Sequence, residues 1–330
     1  MFGRNNMKTT YRYDTTWKHL RPLLAMAFSC LLALPLQAAA KAAPGTPANV
    51  PAKAFDSPQQ AADALIAAAE KFDVAALEAI GGSEGHDIMF SGEEVVDRER
   101  AAAFAALARE KNSLEVDAKH PNLATLIIGK EDFPLAVLLV KQGGKWSFDA
   151  KTGRQEILYR RIGDNELNAI SVCRGYVEAQ HEYAMTKHAG SLVNQYAQRL
   201  VSTPGTQDGL AWKNPDGTWG GPVGEGIAGM IERGYKSRTE PVNGYFFKVL
   251  KGQGPAAPLG ELDFVINGAM IGGFALVAAP AEYRKTGVMT FMVSHSGIVY
   301  QQDLGPSSLD LFTKMERFNP DASWTPTDDD

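Results

Sequence analysis

Four residues between Asp208 and Trp219 have the types and spacing for polymer or partner contact. Asp208 and Asp216 sit in the turn-rich runs TPGTQDGLAW and NPDGTWGG, with Trp212 and Trp219 beside them. Indole faces can stack on a sugar ring or apolar patch while carboxylates orient hydroxyls or amides. The plainer alternative is that the aspartates shape turns and the tryptophans cover a sheet edge. A second group, Glu178, His181 and Glu182, follows helical spacing of three and four, with His188 two turns past His181. Such residues can present metal ligands on one helix face, but a site would need a further ligand from elsewhere. On an exposed helix they are usually solvated. His295 lies in a turn, where polar residues are ordinary.

Other motifs are matched in spelling only. Gly81-Gly82-Ser83-Glu84-Gly85 fits the nucleophile elbow, which requires a strand before the serine; here a helical pattern precedes it. Gly224, Gly226 and Gly229 match the dinucleotide fingerprint without a preceding strand or βαβ unit. The regular acidic register of a Ca²⁺ loop is missing. No cofactor is expected.

In the whole chain, hydrophobic residues make up 45% and charged residues 22% of 330. That is a globular composition, with room for two domains of ordinary size. A net charge of −5 gives no bulk attraction to nucleic acid or anionic lipid. Of the 2 cysteines, Cys30 lies in the N-terminal lead, leaving Cys173 without an intrachain partner. The lead carries Arg4, Lys8, Arg12, Lys18 and Arg21, then the apolar run Pro22–Leu36, then Ala38-Ala39-Ala40. This pattern predicts a signal peptide over 1–40, cut near Ala40, and export to the periplasm or beyond. The run is short of the ~20 residues of a spanning helix, so no membrane span is expected in the mature chain. Residues 41–54, rich in Ala and Pro, read as a flexible tether.

The first domain is placed at 55–160. Asp56-Ser57-Pro58 starts a helix with Ala61, Ala62, Leu65, Ile66 and Ala69 at helical spacing. Further helices are expected over Val74–Ile80, ended by Gly81-Gly82, and over Asp97–Glu110. Strands follow at Ala124–Ile128, Leu135–Val140 and Lys145–Asp149, the last two joined through Gln142-Gly143-Gly144. The second domain is placed at 161–320. A helix capped by Asp164 runs to Lys187, with Leu167, Ile170, Cys173, Val177, Gln180 and Ala184 as its inner face and Tyr176 and Tyr183 flanking it. The joint falls at Glu156–Ile162. Helical stretches at Ser191–Leu200 and Ile227–Arg233 surround the long turn region Ser202–Gly221. Tyr245–Leu250, Phe274–Ala279, Val288–Val293 and Ile298–Gln302 form an antiparallel sheet, with Ser294–Gly297 as a hairpin connection. A helix over Ser307–Phe318, with Leu309, Phe312 and Met315 inward, precedes an acidic tail at 321–330. Helices before a sheet, twice over, make the fold class α+β.

The stretches FDSPQQAADALIAAA, GGKWSFDAKTGRQEILYRRIGDNELNAI, YAQRLVSTPGTQDGLAW, NGYFFKVLKGQGPAAP, GGFALVAAPAEYRKTGVMTFMVSHSGIVYQQDLG and FNPDASWTP resemble a family of secreted bacterial proteins catalogued as domain of unknown function 2950. The resemblance covers nearly all of the mature chain and implies a periplasmic or secreted setting without assigned catalytic residues. The first domain is also similar in element order to the cystatin-like and SnoaL-like cones, with helices on a curved antiparallel sheet. The helix NELNAISVCRGYVEAQHEYAMTKH followed by GYFFKV, FALVAAP and GVMTFMVSHSGIVYQ resembles the globular head of type IV pilin-like proteins. It lacks the prepilin cleavage motif and long apolar helix that polymerise pilins. The expected function is therefore an exported, non-catalytic envelope protein that binds another envelope protein or a glycan, with a role in assembling a surface structure. The alternatives are a hydrolase acting on an envelope polymer and a small-ligand binder using the concave face of the first domain.

Overall fold

The structure, a computed structural model, describes residues 50–188, 190–223 and 241–327. The expected signal peptide, the dinucleotide-like glycines, the Ile227–Arg233 helix and the final three aspartates lie outside the described residues. The described chain is α+β.

Helix α1 (Pro58–Lys71) begins where the sequence places it: Ser57 caps Gln60 N–H and proline occupies the first turn. Helix α2 (Val74–Met89) runs on past the glycine pair. Gly82 stands at φ 63°, kinking the helix without ending it. The glycine is required there, because a Cβ would lie 2.6 Å from Ala52 N in the segment crossing above it. Helix α3 (Glu94–Glu110) starts a turn earlier than expected, since buried Asp97 reaches back to accept from Ser91 N–H and Oγ–H.

Strands β1 (Asn112–Val116), β2 (Leu123–Ile128), β3 (Phe133–Pro134), β4 (Leu139–Gln142) and β5 (Lys145–Phe148) form the first sheet in the order β1-β2-β4-β5, with β3 also on β2. Gly143 and Gly144 both take positive φ in the two-residue β4–β5 turn, as the twist of a hairpin demands. Of the expected strand Leu135–Val140, only Leu139 and Val140 are in a strand, β4, while β3 lies before it. Phe55, Leu65, Trp146 and Phe148 belong to one core cluster between these helices and the sheet. A smaller cluster holds Ile66, Leu126 and Ile128.

Helix α4 (Ala150–Tyr183) corrects the expected joint. Residues 156–162 are helical throughout, and the helix is capped by Asp149 onto Thr152 N–H, not by Asp164. Gly163 lies within this helix. Inside a helix it costs only about 1 kcal/mol, which the surrounding packing outweighs. The first half of α4 is tied to the N-terminal elements: Arg154 makes a two-pronged pair with Asp87 (2.9 and 2.7 Å), and Arg160 donates to Pro134 O. Its second half lies on a separate C-terminal core containing Cys173, Tyr176 and Tyr183.

That buried face is turned from the expected one. Leu167 is 59% exposed, while Tyr176 and Tyr183 are buried. Tyrosine can be inside because its hydroxyl finds a carbonyl: Tyr176 donates to Ala275 O at 3.2 Å and Tyr183 to Gln207 O. Beyond α4, the expected helix at Ser191–Leu200 is absent. Tyr196 bridges Met270, and Ala197 gives both its N–H and its C=O to the Gln180 side chain, groups a helix would have used itself.

Strand β6 (Arg199–Val201) runs parallel to β7 (Gly209–Lys213), which pairs with β8 (Trp219–Gly220). Strand β9 (Tyr245–Leu250) opens the main sheet. Two small ribbons follow, β10 (Gly252–Gln253) with β11 (Leu262–Asp263), and β12 (Val265–Ile266) with β13 (Ala269–Met270). Strands β14 (Ala275–Pro280), β15 (Thr290–Ser294) and β16 (Val299–Gln302) complete the meander, and β17 (Thr325–Pro326) joins its edge, giving the order β17-β16-β15-β14-β9. Every residue of β14 and β15 is buried, so both faces are covered. The last helix, α5 (Ser308–Lys314), is shorter than expected, because Phe318 bridges Gln253 and draws the chain out of the helix. Phe312 is buried, with Leu309 and Met315 against the same core.

Candidate functional site

The β7–β8 hairpin carries the sequence's first candidate group, and its geometry divides that group. The connecting turn is closed by Gly217 N–H on Asn214 O at 2.9 Å, with Gly217 at φ 84°. Asp216 accepts from Thr218 N–H (3.0 Å) and Thr218 Oγ–H (2.6 Å), and these bonds hold its carboxyl below the usual range. Asp208 lies before β7. Burial pushes its pKa up, but bonds from Thr203 N–H, Thr206 Oγ–H and Thr203 Oγ–H, with the Arg199 guanidinium at 3.1 Å, outweigh this and bring it down. Both aspartates therefore organise their own loops.

The tryptophans point to opposite faces. Trp212 is registered with Gly220, and Lys213 with Trp219. Since neighbours on a strand alternate, Trp212 and Trp219 cannot share a face. Trp212 packs toward the C-terminal core, its ring 5.5 Å from that of His188, which in turn stacks on Tyr183 at 3.9 Å. Gly220 and Gly221 let the indole lie flat, because a Cβ on Gly220 would stand 2.6 Å from Trp212 Nε1. Trp219 is half-buried on the other face, with the Lys213 ammonium 5.0 Å from its ring centre. Of the four candidates, Trp219 is left on the face away from the core beside Lys213, while the Asp216 carboxylate is bound to Thr218, the residue before Trp219 and on the alternate face.

The helical candidates Glu178, His181 and Glu182 are exposed near the end of α4. Among the described residues, no three His, Cys, Asp or Glu side chains come together as a metal-binding group. His181 packs its ring edge-on to buried Phe274 at 5.5 Å, and exposed His295 meets the same ring at 6.3 Å. Ser83 of the elbow-like motif donates its N–H to Val50 O at 2.9 Å, and its hydroxyl points to the same carbonyl.

The strongest shifts belong to groups kept neutral by burial. The Cys173 thiol is fully buried and pushed up to about 12. Tyr183 is pushed up to about 12 by burial and by Asp208. Tyr245 is raised by burial and then by Glu166. A thiol so placed is inert. In the native protein Cys173 is expected to resist iodoacetamide at neutral pH and to react stoichiometrically in denaturant; rapid native labelling would contradict its burial.

Three polar side chains matter more than sequence reading allowed. Gln180 is buried and makes three bonds, to Ala197 N–H, Ala197 O and Tyr176 Oη. Glu166 Oε1 accepts from Val288 N–H and Met289 N–H at 2.8 and 3.0 Å, while Asn165 donates to Thr286 O, fixing the β14–β15 connection to α4. Apart from Tyr176, one turn before Gln180, their partners are distant in sequence, so no local signal marks them.

The family model described as Protein of unknown function (DUF2950) matches residues 52–327. The chain belongs to this family. In this DUF2950 protein the match takes in both sheets, α4 and the hairpin, so the two cores lie within one family unit. Among curated proteins and among solved structures, nothing matches.

Proposed function

We propose that this DUF2950 protein is an exported, non-catalytic binding protein of the cell envelope, which takes a glycan on the Trp219 side of the β7–β8 hairpin. The observation that carries the reading is the division of the tryptophans. Trp212 is committed to the core, whereas Trp219 faces away from it beside the Lys213 ammonium. An indole face with a cation beside it suits a sugar ring with hydroxyl or acidic substituents. The buried, neutral state of Cys173, Tyr176 and Tyr245 supports binding over nucleophilic chemistry. Among the described residues no helix is long and apolar enough to cross a membrane.

Trp219→Ala is expected to abolish retention on purified envelope polysaccharide while moving the melting temperature by less than about 2 °C, as for a surface change. Unchanged retention would sink the proposal, and so would a large loss of stability. Export carries its own test. Intact-mass measurement of the protein from its producing cells is expected to give a chain beginning just after Ala40; a chain retaining Met1 would contradict it.

A further inference from the structure

The loop between β10 and β11, GPAAPLG, holds a leucine in an unusual way. Leu259 is 90% exposed and stands at φ 72°, a region that side chains of its kind avoid. The bond from Gly260 N–H to Ala257 O (3.0 Å) closes a turn with Pro258 at its second position and Leu259 at its third. This is a type II turn, whose third position calls for glycine or asparagine. Gly260 is the next residue, so the sequence has put its bulky side chain where the glycine would be at ease.

The loop is built from below to keep that conformation. Buried Gln253 donates its amide to Pro258 O and to Gly260 O (2.8 Å), one on each side of Leu259. Turning the Pro258–Leu259 peptide over would give leucine an ordinary negative φ, but would swing Pro258 O away from the amide. Asn319 Oδ1 accepts from Ala256 N–H at 2.8 Å, and Gly254 N–H donates to Phe318 O at 2.9 Å. Arg317 bonds Gln253 O and Leu262 O from beneath. Strain that the surroundings over-determine, at a side chain with almost no contacts of its own, is the mark of a displayed group.

The geometry points to Leu259 as a preformed anchor that inserts into an apolar pocket, rimmed by cationic side chains, on a partner protein. A rigid loop loses little freedom on binding, and a single central anchor can carry much of an interface. The charges beside it choose the partner. Glu261 and Asp263 are exposed next to the turn, and among the described residues one cation, Arg317, pairs with them at 3.7 and 2.6 Å, leaving this cluster net negative. That charge disfavours an anionic lipid surface, and one leucine offers too little area to hold a domain there when a whole acyl chain binds only reversibly. A symmetric contact between two copies would place the same negative charge opposite itself. The inference shares with the proposed function only the premise of a binding protein, and uses a surface other than the hairpin.

The test places a diazirine amino acid at exposed Ala256 in the full chain, in its producing cells, with illumination and mass-spectrometric mapping of adducts. The expected result is one discrete protein adduct, mapped to an apolar segment with Lys or Arg beside it. Leu259→Gly should reduce it at least about tenfold, the effect of losing one anchor, and Leu259→Met should retain it. Leu192→Gly, at an equally exposed leucine (89%), should leave it unchanged. Leu259→Gly should also melt at the same or a higher temperature, because glycine accepts positive φ. Trp219→Ala is run alongside, and dependence on Leu259 supports this surface whatever becomes of the hairpin. No adduct, a lipid adduct, an adduct of two copies of this chain, an adduct indifferent to Leu259→Gly, or a lower melting temperature for that variant would each overturn the inference.

Discussion

Gly287→Ala is expected to destabilise the protein by about 3 kcal/mol, the upper range for forcing atoms into a packed site. A Cβ there would lie 2.1 Å from Tyr245 Oη and 2.6 Å from Tyr245 Cζ. The tyrosine cannot step aside. It is fully buried, its ring packs 5.8 Å from that of Phe291, and its hydroxyl donates to Met289 O at 2.8 Å. Nor can the β14–β15 connection lift away, because Glu166 and Asn165 hold Val288, Met289 and Thr286 to α4. The collision is with the hydroxyl end, which gives the prediction a second arm. Tyr245→Phe alone should cost about 1–2 kcal/mol through the unpaired Met289 carbonyl. Combined with Gly287→Ala it should cost less than the sum of the two, with a coupling of at least about 1 kcal/mol. Urea unfolding of the four proteins measures it. Simple additivity would mean that the connection, not the tyrosine, gives way.

Those residues show where sequence reading stops. Strand β9 matches Tyr245–Leu250 residue for residue, and the β14, β15 and β16 segments agree to within a few residues, because β-branched and aromatic runs between turn signals are local. The α1 start was equally legible in Ser57-Pro58. What failed was long-range. Gly163-Asp164 has the local form of a break and a cap, yet the ties from Arg154 and Arg160 on one side and the tyrosines on the other keep α4 continuous. At the candidate site, the acidic and aromatic residues were visible from composition. That Trp212 and Trp219 face opposite ways depends on the register of Lys213 with Trp219, which a turn-rich sequence does not reveal.

Gln180→Leu is expected to cost about 2–5 kcal/mol, although leucine matches the apolar environment better. Among the described residues, the amide is the one partner of two buried backbone groups where the chain returns from α4: its Oε1 accepts from Ala197 N–H and its Nε2 donates to Ala197 O, both at 2.8 Å. Ala197 is fully buried, so each orphaned group would carry a desolvation penalty of about 1–3 kcal/mol. Tyr176 loses a neighbour at 2.9 Å but keeps Ala275 O as acceptor, so it adds little. Gln180→Glu separates this account from mere loss of shape. The ionised carboxylate would still accept from Ala197 N–H but would face Ala197 O without a donor, whereas the protonated acid could serve both. Burial should therefore raise the pKa of the introduced carboxyl in the folded state above the ~4.3 of an unfolded chain. A group raised in the folded state contributes its full stability below the unfolded value and loses it as pH climbs through the folded value. The variant should thus lie closest to the parent near pH 4 and fall progressively behind it toward pH 8, while Gln180→Leu stays behind by a constant amount. Denaturant midpoints across that range measure both. A pH-independent deficit for Gln180→Glu would show that water reaches Ala197 and that the amide does not close this seam alone.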